Sequence, residues 1–138
     1  MDTEKALDFL KQYQPMPDDL ELTETQIDIY DNVRKFFVDN PDERCIPLFL
    51  NSFGRWGGYG VYQLVDEVFW HFDKEIVVPY LVNSLQSEHE GVCYWNAQIA
   101  CDFPDKRLTK PLERLLLSPV KDIQKAAQNA LEFIERGV

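Results

Sequence analysis

The chain is poor in the side chains that bind metals and in positive charge. It has two histidines, His71 and His89, and three cysteines, Cys45, Cys93 and Cys101. They form no Cys-x-x-Cys, His-Glu-x-x-His or EF-hand spacing, so no familiar zinc or calcium site is encoded, and neither metal nor cofactor is expected. Cys93 and Cys101 lie two turns apart on one predicted helix, about 12 Å, too far for a disulfide. Lysine and arginine number 14 against 24 aspartates and glutamates, a formal net charge of -10. That deficit argues against binding nucleic acid, which needs clustered cations to displace counterions, and against docking on anionic membranes. No run approaches the ~18 uncharged apolar residues of a membrane span, and the acidic start Met1-Asp2-Thr3-Glu4-Lys5 is unlike a secretory signal. A cytoplasmic protein with reduced thiols is expected.

What the chain does have is material for one packed core: 138 residues, 45% apolar and 13% aromatic, a size and composition that predict a single domain over residues 1–138. Charge is unevenly placed. Residues 1–45 hold 12 acids and 5 bases, residues 46–105 hold 8 and 2, and residues 106–138 hold 4 and 7. An acidic body with a basic end produces a field that attracts cationic partners.

A repeat organises the rest. Val61, Leu64, Val65, Val68, Phe69 and Phe72 have the 3-4-3 spacing of one helix face. A step of 31 residues reaches Val92, Trp95, Asn96, Ile99, Ala100 and Phe103, and another reaches Ile123, Ala126, Ala127, Ala130, Leu131 and Ile134. One step back lies a degenerate copy, Tyr30, Val33, Arg34, Phe37 and Val38, and in the later copies only Asn96 interrupts the apolar register. A second helix precedes each of the last three copies, carrying Pro47, Pro79 or Pro111 at intervals of 32. A proline about two turns into a helix removes a backbone bond, so a repeated bend is expected.

Punctuation agrees with paired helices. Asn40-Pro41-Asp42-Glu43 offers an N-cap, a first-turn proline and a capping-box glutamate; Asp73, Asp105 and Ser118-Pro119 cap later helices, and Thr23 with Gln26 caps one near 24–39. Residues 3–13, with Ala6, Leu7 and Leu10 on one side, form another helix, followed by the proline-rich loop Gln14–Asp19. No strand is predicted.

Helix pairs at a period near 31, an early proline in the first and an apolar 3-4-3 face in the second, resemble HEAT-like repeats. Leu108 through Ile134 matches best, and Val33-Arg34 echoes the family's Val-Arg pair. The resemblance implies an all-α fold, a right-handed α-solenoid of three to four helix pairs. It divides the chain into a degenerate N-terminal pair (1–40), repeats at 41–72 and 73–104, and a C-terminal repeat (105–138). Such stacks bury their faces against neighbours and leave an open, concave surface.

Candidate binding residues follow from exposure and charge. Gly54-Arg55-Trp56-Gly57-Gly58-Tyr59-Gly60 holds four of the six glycines, but no Lys-Ser/Thr pair follows and no strand precedes, so it is not a phosphate loop. It is a helix–helix turn needing positive φ, and Trp56 and Tyr59 upon it are candidate interface anchors. Between Ile46 and Asp105 only Arg55 and Lys74 face eight acids, leaving Asp66, Glu67 and Asp102 short of local partners. If the second helices line the concave side, Tyr62, Trp70 and Tyr94 join those acids in a surface suited to a basic protein. Inter-repeat packing is the competing use for Trp70 and Tyr94.

These features predict a non-catalytic protein-binding module. By charge and size it resembles bacterial immunity proteins, acidic inhibitors that plug basic nuclease toxins, which makes a nuclease toxin the expected partner. The alternatives are an adaptor or assembly subunit of a larger complex and, from the enzyme class, a lyase like those associated with HEAT-like repeats. A glycosylase of HEAT-like architecture would need a basic groove that this chain lacks.

Overall fold

The structure is a computed structural model that describes residues 1–137. Among them every regular element is helical: α1 (Thr3–Gln12), α2 (Glu24–Asp39), α3 (Cys45–Leu50), α4 (Asp66–Phe69), α5 (Lys74–Ser84), α6 (Glu90–Ala100), α7 (Thr109–Leu115) and α8 (Lys121–Glu135), with 3₁₀ turns at Gly58–Gly60, Tyr62–Leu64 and Lys106–Leu108. None is long and apolar enough to cross a membrane.

Odd-numbered helices pack in succession, α1 on α3, α3 on α5, and α5 on the 3₁₀ turn that leads into α7. The even-numbered ones pair as α2 with α4 and α6 with α8, and the hairpin contacts α1 with α2, α5 with α6 and α7 with α8 tie the two sets together. The core between them is rich in aromatics. Tyr30, Phe37, Phe49, Phe53 and Tyr62 are fully buried and meet edge to face, with ring centroids 5.5 to 5.9 Å apart.

Most of the helix boundaries were legible. Thr23 and Gln26 close a reciprocal capping box on α2, and Ala6, Leu7 and Leu10 are the buried stripe of α1. In α8, Ile123, Ala126, Ala127 and Ala130 are buried as the repeat predicts. Asn96, the one polar break in that register, is buried at the junction of three helices. Its Nδ2 donates to the carbonyls of Leu50 (2.6 Å) and Val92 (2.8 Å), and its Oδ1 accepts from Ser84 Oγ. An amide there fastens α3 and α5 to α6, because a buried polar group is tolerated when its bonds are made.

Three expectations are corrected. Asn40 does not cap α3. It ends α2, its side chain donating back to the Phe36 carbonyl, and α3 begins only after a turn in which Asp42 accepts from the Arg44 amide. Pro47 and Pro111 fall at the third residue of α3 and α7, inside the first turn, where an N–H has no intrahelical partner to lose; only Pro79 is interior. The helix expected over 61–72 is broken. Its first half is a 3₁₀ turn, Tyr62–Leu64, directly after another at Gly58–Gly60, and only Asp66–Phe69 is α-helical. A 3₁₀ turn advances about 120° per residue instead of about 100°, so the apolar register slips: Leu64 comes out to the surface while Tyr62 turns in.

Candidate functional site

The glycine-rich segment determines the site because it fills a space no ordinary residue could enter. A Cβ on Gly91, at the start of α6, would lie 2.0 Å from the Gly54 carbonyl oxygen, and one on Gly54 would lie 2.6 Å from the Pro17 carbonyl. Backbone thus meets backbone, and α6 is pressed against the loop. Left-handed φ values then occur at Gly58 (+55°) and Gly60 (+89°), as the turn requires, but also at Trp56 (+71°) and Tyr59 (+51°). A bulky residue in that region costs of order 1 kcal/mol, and such strain gathers at functional positions.

Both strained aromatics are held by hydrogen bonds. The Trp95 indole N–H donates to the Trp56 carbonyl (2.8 Å), and the Tyr59 hydroxyl donates to the carbonyls of Leu22 (3.0 Å) and Asp19 (3.2 Å). Their rings remain open to solvent, Trp56 at 51% and Tyr59 at 59% exposure. Arg55 lies over the Trp56 ring with its guanidinium carbon 4.7 Å from the ring centre, and its Nε is 3.4 Å from Glu90.

Between this loop and the first turns of α6 and α8 is a cleft of about 390 Å³. Its walls are Trp56, Tyr94, Trp95, Val120 and Ile123, with Asp122 at its edge. Tyr94 continues the surface along α6, its hydroxyl accepting from Gln98 Nε2 (3.0 Å), and one turn further Asp102 follows the end of that helix. The charge of Asp102 acts on Asp66. Partial burial, and after it the charge of Asp102, raises the Asp66 carboxyl above its ordinary value, and partial burial raises Asp102. Asp66, Asp102 and Asp122 belong to none of the ion pairs among the described residues.

The eight candidates divide accordingly. Trp56 and Tyr94 meet at the cleft, and Asp66 and Asp102 form the acidic pair. Trp70 is 65% exposed directly after α4, whereas Tyr59 is turned toward the Asp19–Leu22 loop. Glu67 is not left without a local partner: the buried Arg34, 2.8 Å from Asp31, reaches it at 3.4 Å. Tyr62 is not on the surface. It is 1% exposed, its ring against Gly58 and its hydroxyl without a hydrogen-bond partner, because the 3₁₀ register carries it inward. Arg55, Glu90, Val120, Asp122 and Ile123 were not among the candidates, and Trp95 was expected in the core. The one available signal for Trp95 is its position beside Tyr94 at the edge of the apolar stripe, where an indole N–H needs a polar partner.

No cluster of three or more metal-ligating side chains occurs among the described residues. The three cysteines are unpaired, with burial pushing the Cys45 thiol up to about 12 and the Cys101 thiol up to about 11, away from the reactive thiolate range. No family model and no curated protein matches the chain.

Proposed function

We propose that this chain is a non-catalytic binding module for a basic protein, with its helix pairs stacked as a short HEAT-like, right-handed solenoid, and that it acts as an immunity-type inhibitor of a cationic nuclease toxin. The observation that carries the reading is Asp66 and Asp102, a half-buried and an exposed carboxylate with raised pKa values that belong to no ion pair among the described residues; the exposed Trp70 follows Asp66 by one helical turn. Self-repulsion of this kind costs the free protein stability, and a lysine or arginine from outside relieves it. An exposed aromatic one helical turn from Asp66 would supply the apolar anchor that such a contact needs. A toxin that handles RNA or DNA carries cations at its active site, so one acidic surface both steers toward it and occludes it.

The test begins with the full chain as bait in its native host, followed by mass spectrometry of what it retains. Expected is a basic protein whose association rate falls as salt rises, whose capture is lost on joint Asp66→Lys and Asp102→Lys substitution with circular dichroism unchanged, and whose nuclease activity the wild-type chain suppresses. Glu67 is left intact because it holds Arg34. Trp70→Ala should weaken binding by about tenfold, the scale of a modest hot spot. Association rates independent of salt, or capture indifferent to the double reversal, would overturn the reading. A bound partner whose activity is untouched would replace inhibition by the adaptor role.

A further inference from the structure

Deepening the binding-module reading, on which it rests, we propose that the cleft between the glycine-rich loop and the starts of α6 and α8 is the seat of a single arginine side chain from the basic partner. Its stem would lie along Val120 and Ile123, and its guanidinium would reach Asp122 between the Trp56 and Tyr94 rings.

Three observations converge on that occupant. First, the cleft is already built. Gly91 lets α6 close on the Gly54 carbonyl, and the Trp95 indole pins the Trp56 backbone, so no loop has to be ordered on binding. Second, the chain already places one guanidinium in these surroundings, since Arg55 lies on the Trp56 ring with Glu90 beside it. Aromatic face plus carboxylate is the chemistry that recognises arginine, whose planar, weakly hydrated cation tolerates an apolar wall better than the ammonium of lysine. Third, the charge balance selects a cation. The helix N-termini of α6 and α8 open on the cleft, and each has an acid in its first turn, Glu90 and Asp122, that answers the helix dipole. With Arg55 engaged by Glu90, the lining is left with Asp122, which belongs to no ion pair among the described residues although Lys121 and Lys125 flank it on α8, and a guanidinium completes the set. The strained backbone at Trp56 fits this use, because it fixes an indole at the mouth where glycine would be the cheaper residue.

The chain's three tryptophans supply the test. In ¹⁵N-labelled protein, with indole N–H signals assigned by single Trp→Phe variants, N-acetyl-arginine amide is the probe. It should shift the Trp56 and Trp95 signals saturably and leave that of Trp70 in place, whereas uncharged N-acetyl-citrulline amide and anionic N-acetyl-glutamate amide should not. Asp122→Asn should weaken the arginine probe about tenfold, the scale of one charge-assisted hydrogen bond, with the rest of the spectrum retained. Equal shifts with citrulline, stronger binding of the anion, an unchanged affinity in Asp122→Asn, or a Trp70 signal that moves with the other two would each overturn the assignment. Those failures leave the Asp66–Asp102 face untested by this probe, so they are separable from failure of the binding-module reading, which the double reversal decides.

Discussion

Residues 90–135 and residues 54–70 both include a stretch with the 31-residue apolar spacing, yet they take different structures. In the C-terminal half, α6 and α8 are continuous helices that pack against each other, with Val92, Ile99 and Ala100 of the one and Ile123, Ala126, Ala127 and Ala130 of the other buried. In the earlier segment the corresponding helix has partly given way to 3₁₀ turns, aromatics sit at positive φ, and Asp66 belongs to no ion pair among the described residues. Apolar periodicity alone stabilises a helix pair against its neighbours, and no strain or unpaired charge is needed for that. A segment that carries both is less stable than it needs to be, and natural sequences accept that cost where a surface does something else.

The largest effect that would break this comparison is at its hinge. Gly91→Ala drives a methyl group into the Gly54 carbonyl, backbone against backbone, and neither side has a flexible tip to yield. A loss of ~3 kcal/mol or more in urea-unfolding stability is expected. A loss under ~1 kcal/mol would mean that α6 and the loop are not locked together. Next is Asn96→Ala, which leaves the Ser84 hydroxyl only its longer contact to the Leu81 carbonyl (3.4 Å) and removes both bonds to the Leu50 and Val92 carbonyls. The expected cost is ~2 kcal/mol by the same measurement, with the cavity adding to it.

The smallest effect has the opposite sign. Asp66→Asn should raise stability at pH 7 slightly, a small effect because the site is partly solvated. Its raised pKa means that the folded state holds the proton more tightly than the unfolded chain, so ionised Asp66 opposes folding at neutral pH. Acidification toward the ordinary carboxylate value, about 4, removes that penalty, and the difference between variant and wild type should vanish there. Asp31, Asp42 and Asp105 run the other way. Their arginine partners lower their values, so the stability they add is present at neutral pH and is lost as pH falls through those lowered values. Urea midpoints for wild type and Asp66→Asn at pH 7 and near pH 4, followed by wild type below about pH 3, separate the two behaviours.

How far the fold was legible follows from the physics of each signal. The capping box of Thr23 and Gln26, the stripe of α1 and the alanine-rich face of α8 are local in sequence and survived into the structure. The broken helix did not announce itself, because Val65, Val68 and Phe69 are buried in either geometry. Its only trace was the density of glycine before it, which predicts positive φ without saying at which residues. The acids of the candidate site were visible as a local imbalance of charge, but Glu67 could not be separated from Asp66 until Arg34 was seen to reach it from α2. Asp122 lay in the basic C-terminal third and drew no notice.

Composition and periodicity by themselves determined an all-helical, strongly acidic chain whose second helices share one apolar register, because hydrophobic spacing and net charge are properties of the order of residues. Only tertiary structure decided which acids keep their charge to themselves, which aromatic turns inward, and that a cleft opens where Gly54 and Gly91 touch. Those outcomes depend on distances between residues far apart in the chain, and on a change of helical pitch that rotates side chains without altering a single letter of the sequence.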